Sequence, residues 1–545
     1  MTQRDEAGGV GYGGSAATSE GIAAAGGQAG NATAHAAPTE RAGSSGLASR
    51  RRGIVRRLLL LLGSVVALLV AVALVRTARF RPAESAVAPA PAVAVPAGAA
   101  ERLAGAVRIR TISHEDPAAF DAAAFQALHA YLQAQFPRVH AHLRRETVAT
   151  HSLLYTWPGS DPSLKPILLM GHLDVVPVEP GTEGSWQEDP FGGRIAGGFI
   201  WGRGAIDNKS AVVGLLEAVE MLLGEGFRPA RTVYLAFGHD EEVGGTRGAR
   251  AIAALLESRG TELEMVLDEG GVIGDGILPG VSAPTALVGI AEKGFASIEL
   301  TTRAAGGHSS LPPRESAIGI LGAAVARLEA NQMPARLEGP TRQLFETVGP
   351  HFPVAQRAVF ANLWATRPLV IGKLEESPTT NAMIRTTTAA TIFQAGTKEN
   401  VLASRARAVV NFRIHPGDSV TGVLAHVRRV VDDPRVEARI APGFTAEPSA
   451  VSSTASESYR TLERTIRGVA PDVNVAPYLV VVVSDSRYFQ DLGRSIFRFL
   501  PVRLTSEDLK RMHGTNERLA VRDYEQAIRL YRQLIVNTAG SGGLR

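Results

Sequence analysis

Three short apolar runs, each closed by acidic or histidine side chains, constrain this chain more than any other feature. They are Ile167 to Met170 followed by GHLD, Val233 to Phe237 followed by GHDEE, and Met265 to Leu267 followed by DEGG. The runs are apolar throughout rather than alternating, which is the pattern of strands buried on both faces. Helix-like stretches near 209–224 and 246–258 lie between and after them. Strand and helix in alternation predict an α/β fold with a mostly parallel sheet. In such sheets reactive groups collect beyond the carboxyl ends of the strands, where these polar clusters fall.

A second unit interrupts the first. Strand-like 295–302, helix-like 315–330, strand-like 382–393 and 404–413, and helix-like 418–431 make a β-α-β-β-α pattern, that of a small inserted α+β domain. The expected boundaries are 100–294 and 445–540 for the α/β domain and 295–444 for the insertion, with no internal repeat. The chain has no cysteine, so disulfides, thiolate nucleophiles and cysteine metal ligands are excluded, and any metal must be held by His, Asp and Glu. A formal net charge of +4 over 545 residues, much of it in one N-terminal arginine cluster, argues against a nucleic-acid partner.

Residues 1–49 are rich in Gly, Ala, Ser and Thr without an apolar period, and read as a disordered tail. Arg50, Arg51, Arg52, Arg56 and Arg57 then precede an uncharged run from Leu58 to Val75. As a helix this run is about 27 Å long at about 1.5 Å per residue, close to a hydrocarbon core of about 30 Å. A transmembrane helix over 54–76 is expected, with a Pro/Ala linker over 77–99. Arg76, Arg79 and Arg81 are fewer than the arginines before the run, which puts the tail in the cytoplasm and the folded domains on the extracytoplasmic side. The rival is a cleaved secretory signal and a secreted enzyme.

Taken singly, the polar clusters leave alternatives open. His172 and Asp174 stand two apart at a strand end and so point the same way, placing Asp174 to accept the other ring N–H of a metal-bound His172; an ordinary polar loop would read alike. Asp207 follows Gly202 and Gly204 at a helix entry and could be a simple helix cap. Asp240, Glu241 and Glu242 repel one another unless a cation engages them, or they form a solvated acidic turn. Asp268 follows its strand in the same manner, and His513 alone would be structural.

Together, GHLDVVP, GRGAIDNKS, DEEVGG, LDEGG, GGHSS and MHGTNE follow one another in an order and spacing that resembles the aminoacylase and carboxypeptidase family of dizinc metallopeptidases. LDEGG, NAMIRTTT at 381–388 and SDSRYF at 484–489 look closest to the carboxypeptidase S branch, which includes N-fatty-acyl-amino-acid hydrolase/synthases. The resemblance covers about 100–535. It implies that Asp207 bridges two metals, with His172 and Asp268 completing one site and Glu242 and His513 the other. Zinc is the family's metal, and cobalt or manganese would suit the same ligands. By the same resemblance Glu241 is the general base and Asp174 the carboxylate behind a ligand. His308 helps bind the scissile carbonyl oxygen from the inserted lid domain, in some members across a homodimer. Asn400 and Arg413 contact the substrate, Arg413 as a carboxylate clamp. A cis peptide is implied at Asp207–Asn208, and residues 335–378 are extra sequence relative to compact members.

The expected activity is therefore metal-dependent hydrolysis of an amide bond next to a free carboxylate, in a small peptide or an N-acyl amino acid. Synthesis and hydrolysis of N-fatty-acyl amino acids is the alternative within enzymes. A non-catalytic binding protein that keeps the fold is the alternative outside them, against which the intact ligand set argues.

Overall fold

Ile167–His172 is buried at every position and Val233–Gly238 at nearly every one, so neither strand can stand at a solvated edge. In the computed structural model, which describes residues 44–82, 87–278 and 280–544, both lie inside an eight-stranded sheet. Its order is Arg144–Val148, Ser152–Trp157, Val233–Gly238, Ile167–His172, Met265–Gly274, Ile496–Leu504, Thr285–Glu292 and Asn474–Val480. The four strands from Val233–Gly238 to Ile496–Leu504 run parallel. The helix Lys209–Gly224 is buried along almost its whole length against this sheet and the C-terminal helix Val521–Ala539. The expected α/β architecture with a large, mostly parallel sheet is the one observed.

The inserted unit carries a four-stranded antiparallel sheet in the order Thr387–Ala395, Arg405–Ile414, Gly294–Arg303 and Val436–Ile440. Helices Ala317–Ala330 and Val420–Val431 share one apolar core with it. Each starts at a serine whose hydroxyl accepts a backbone N–H, Ser316 from Gly319 and Ser419 from Gly422. The strand read at 382–393 begins later than expected. Pro378 starts a helix, Pro378–Ile384, because its fixed φ suits a first helical position, and the strand starts at Thr387. The extra sequence forms helices Gly339–Val348, Val354–Ala361 and Leu363–Glu375. Leu344, Phe345 and Val370 from these helices pack with Leu287 and Ala476 of the large sheet.

The apolar run lies in a helix, Ser44–Arg79, longer than expected at both ends. Its segment Gly53–Arg79 is long and apolar enough to cross a membrane. The chain divides after Leu69 into two units. Most of the tail expected to be disordered, residues 1–43, lies outside the described residues, and 44–49 are helical. The second half of the Pro/Ala stretch is tied down: Ala90 N donates to Gly468 O at 2.8 Å, and Arg529 Nε donates to Val93 O at 3.0 Å.

Candidate metal centre

Asp207 stands between two histidines. Its Oδ1 lies 3.0 Å from His172 Nε2, and its Oδ2 lies 3.0 Å from His513 Nε2. Each histidine has a further carboxylate beside it: Glu269 Oε1 is 3.4 Å from His172 Nε2, and Glu242 Oε2 is 3.3 Å from His513 Nε2. Two triads thus share one aspartate, His172–Asp207–Glu269 and Asp207–Glu242–His513.

The groups arrive from separate elements of the chain. His172 closes Ile167–His172, and Glu242 sits in the short turn Glu241–Val243 after Val233–Gly238. His513 follows the helix Ser506–Arg511 in a left-handed conformation at φ +59°. Asp174 braces two of these pieces. Its Oδ1 is 3.3 Å from His172 Nδ1, while its two oxygens accept the backbone N–H groups of Glu241 and Glu242 at 3.2 and 3.1 Å. The peptide Asp207–Asn208 is cis, as the resemblance implied.

The electrostatics ask for cations. Burial pushes the carboxyl groups of Glu241 and Glu242 up, and burial with the Asp207 charge pushes Glu269 to about 8. Asp207 goes the other way: burial opposes its ionisation, but hydrogen bonds from His172 and His513 prevail and hold it well below the usual carboxylate range. The hydrogen bonds to Asp207 and Glu242 raise His513 to about 10. Glu242 Oε1 is buried with no hydrogen-bond partner, an acceptor left open in a site crowded with negative charge. Imidazole nitrogens and carboxylate oxygens at these spacings are a donor set that fits borderline divalent metals.

Residues 168–537 match the model of peptidase family M20/M25/M40. The chain belongs to this family. A probable carboxypeptidase S-like 2 of Dictyostelium discoideum is 44% identical, over 81% of this chain and 85% of that protein. The N-fatty-acyl-amino acid synthase/hydrolase PM20D1 of Xenopus tropicalis is 43% identical, over 80% of this chain and 85% of its own length. The crystal structure of an M20 family metallo-carboxypeptidase from Sulfolobus solfataricus shares the fold, with a TM-score of 0.59 at 18% identity over 80% of this chain and 98% of that one. M20 enzymes depend on metal, and this M20 chain is a metal-dependent amide hydrolase.

One residue of the sequence-derived ligand set is not with the others. Asp268 belongs to neither triad, and its Oδ2 accepts the backbone N–H of Ser486 at 2.7 Å. Its neighbour Glu269 reaches His172 and also accepts from Asn208 Nδ2. The pairing with Ile496–Leu504 skips from Asp268 to Gly271, so Glu269 sits in a break of the ladder where regular alternation does not set its direction. The adjacent acids in LDEGG were the available signal, and sequence alone could not set their phase.

None of the lid residues belongs to either triad. His308 is exposed and makes its hydrogen bond to Ser310 Oγ at 2.6 Å, and Asn400, also exposed, accepts the Ser309 N–H through its carbonyl. Arg413 stacks over Phe295 at 4.8 Å, and burial together with the Arg487 charge lowers its pKa. Arg487 was missed. It lies in the SDSRYF segment, 9% exposed, and both its terminal nitrogens are buried without a partner. The segment is pinned by Glu292, which accepts from Ser484 N and Ser484 Oγ, each at 2.9 Å.

Glu517 was also overlooked, although it stands in the MHGTNE block. Fully buried, it accepts from Arg203 Nη1 at 2.6 Å and from the backbone N–H groups of Gly204, Ile206 and Asp207 at 3.0, 2.8 and 3.2 Å. These bonds fix the loop that presents Asp207. Glu517→Ala should strand the Arg203 guanidinium and lower stability by about 3–5 kcal/mol, measured by urea unfolding. It should also weaken metal binding, because the bridging carboxylate loses its support.

Proposed function

We propose that this M20 enzyme cleaves an amide bond adjacent to a free carboxylate, using two zinc ions held by His172, Asp207 and Glu269 on one side and by Asp207, Glu242 and His513 on the other. The reading rests on one observation: Asp207 offers one carboxylate oxygen to each of two histidines. Such a metal pair, when bound, acidifies a water and polarises the scissile carbonyl. Glu241 accepts the proton of the attacking water and returns it to the leaving amine. Asp174 holds the His172 ring and the Glu241–Glu242 backbone in register for that transfer. His308 supplies positive or hydrogen-bonding character to the carbonyl oxygen, and its exposed place on the lid suits a role in the site of a second copy, hence a homodimer.

Arg413 and Asn400 bind the substrate, with the carboxylate on Arg413. Truncating the clamp should act on affinity. Arg413→Ala is expected to raise KM for carboxylate substrates by about 10- to 100-fold, the worth of a charge-assisted bond of about 1.5–3 kcal/mol, with a small change in kcat. An unchanged KM in steady-state assays removes Arg413 from this role.

Acyl preference divides the substrates into small N-acyl or peptidyl groups and fatty acyl groups. The likeness to the PM20D1 enzyme supports fatty acyl amino acids, and the likeness to the carboxypeptidase S-like protein supports peptides. A chelator should abolish hydrolysis of both a Cbz-dipeptide and an N-fatty-acyl amino acid, and added zinc should restore it. The ratio of the two rates assigns the class, and equal cleavage of C-terminally amidated analogues would refute the carboxylate requirement. The helix Gly53–Arg79 anchors the enzyme, with its catalytic domain on the extracytoplasmic side.

A further inference from the structure

The last turns of the membrane-length helix are engaged by the helical insertion of the lid. Asn362, 5% exposed, donates from Nδ2 to Ala73 O and to Thr77 Oγ1, each at 3.2 Å. Arg76 Nε donates to Ala361 O at 3.0 Å, and Phe80 lies against Gly349. Ala73 falls inside the apolar run that ends at Val75. Asn362 therefore meets the helix about 3 Å before its apolar text stops, at about 1.5 Å per residue. That is the depth at which acyl chains give way to headgroups.

The helix that follows, Leu363–Glu375, has an apolar face open to its surroundings. Trp364 is 53% and Leu369 67% exposed, and Val354 on the preceding helix is 65% exposed. At 100° per residue Trp364, Pro368, Leu369 and Gly372 share an arc of about 140°, with Arg367 and Lys373 at its margins. Glu375, which falls on the same arc near the helix end, is paired with Arg385. The Trp364 indole N–H is satisfied by Asn362 Oδ1 at 3.2 Å, leaving its ring free for apolar contact. An amphipathic helix with a tryptophan, flanking cations and an exposed apolar stripe is the pattern of a segment lying in the membrane interface.

We infer that Leu363–Glu375, with Val354, is a second membrane contact that beds the lid insertion into the leaflet from which the anchor emerges. The occupant of this face is the bilayer. The inference rests on the reading of Gly53–Arg79 as a membrane anchor, and it adds that the lid side of the enzyme is held at the lipid surface, where an N-fatty-acyl substrate would partition.

The absence of cysteine allows a clean test on the full chain. Leu369→Cys carrying an environment-sensitive NBD label, reconstituted in phosphatidylcholine/phosphatidylglycerol vesicles, should blue-shift and brighten severalfold relative to detergent-free unfolded protein. Lipids brominated near the acyl midpoint should quench it. Ser163→Cys, on an exposed loop of the catalytic domain, should stay water-like and unquenched. Flotation with the vesicles after carbonate washing reads the anchor separately, and activity reads folding. A chain that floats and is active while the label at 369 remains water-like overturns the second contact and leaves the anchor standing. A label at 369 that turns apolar but is not quenched by brominated lipid, or that crosslinks to a second chain, assigns the face to another copy of the protein and overturns it too. Failure to float overturns both readings.

Discussion

Glu241→Gln is expected to purify with its full complement of metal and to turn over about a thousandfold more slowly, a loss of about 4 kcal/mol of transition-state stabilisation. The glutamine keeps size and shape but can neither accept nor return a proton. Metal content should hold because Glu241 belongs to neither triad. Burial keeps its carboxyl well above the usual range, the nearby Glu269 charge adds to that, and His172 only partly opposes it. A carboxylate shifted in this direction takes the proton of an attacking water more readily than an ordinary glutamate. Metal analysis and kcat on one preparation check the prediction. Wild-type turnover in the variant would leave the proposed reaction without its proton carrier.

The second large effect separates two adjacent acids. Glu269→Ala should lower metal affinity at one of the two positions by at least 10- to 100-fold, the effect expected even for a group behind a ligand, and activity should fall with it. Asp268→Asn should keep both metals. Its cost should appear in folding, about 1–3 kcal/mol, because the acceptor for the buried Ser486 N–H is altered. Metal stoichiometry and urea unfolding on the pair give opposite patterns for the two variants. Loss of metal in Asp268→Asn with retention in Glu269→Ala would reverse the geometric assignment and return to the ligand set implied by resemblance alone.

Several features were legible before any coordinates. Uniformly apolar runs at 167–170, 233–237 and 265–267 could only be buried strands, and the polar residues closing them marked one end of the sheet. The residues His172, Asp207, Glu242 and His513 were nominated only as a set, through the family resemblance carried by the order and spacing of their blocks, since each block alone had an ordinary structural reading. Less was legible where two choices have the same local text. Asp268 and Glu269 have the same charge and are one residue apart, and the phase of a strand is set by the neighbours it pairs with. Glu517 looked like part of a polar loop, since its partners are backbone N–H groups more than 300 residues earlier in the chain. Arg487 gave no signal of its own for a similar reason. An arginine is ordinarily solvated, and only the packing of distant segments shows that its terminal nitrogens are buried and open.

Sequence by itself determined the fold class, the membrane-length helix, the exclusion of cysteine chemistry and most of the polar groups that meet. The first three depend on composition and short-range periodicity, which a chain carries whatever its tertiary arrangement, and the polar groups on a resemblance carried by the order of short sequence blocks. Tertiary structure alone decided that Asp207 faces both histidines, that Glu269 rather than Asp268 stands beside His172, and that the lid insertion rests on the end of the apolar helix. Those facts are distances between residues far apart in the chain, fixed by how strands and helices pack, and no local stretch of sequence contains them.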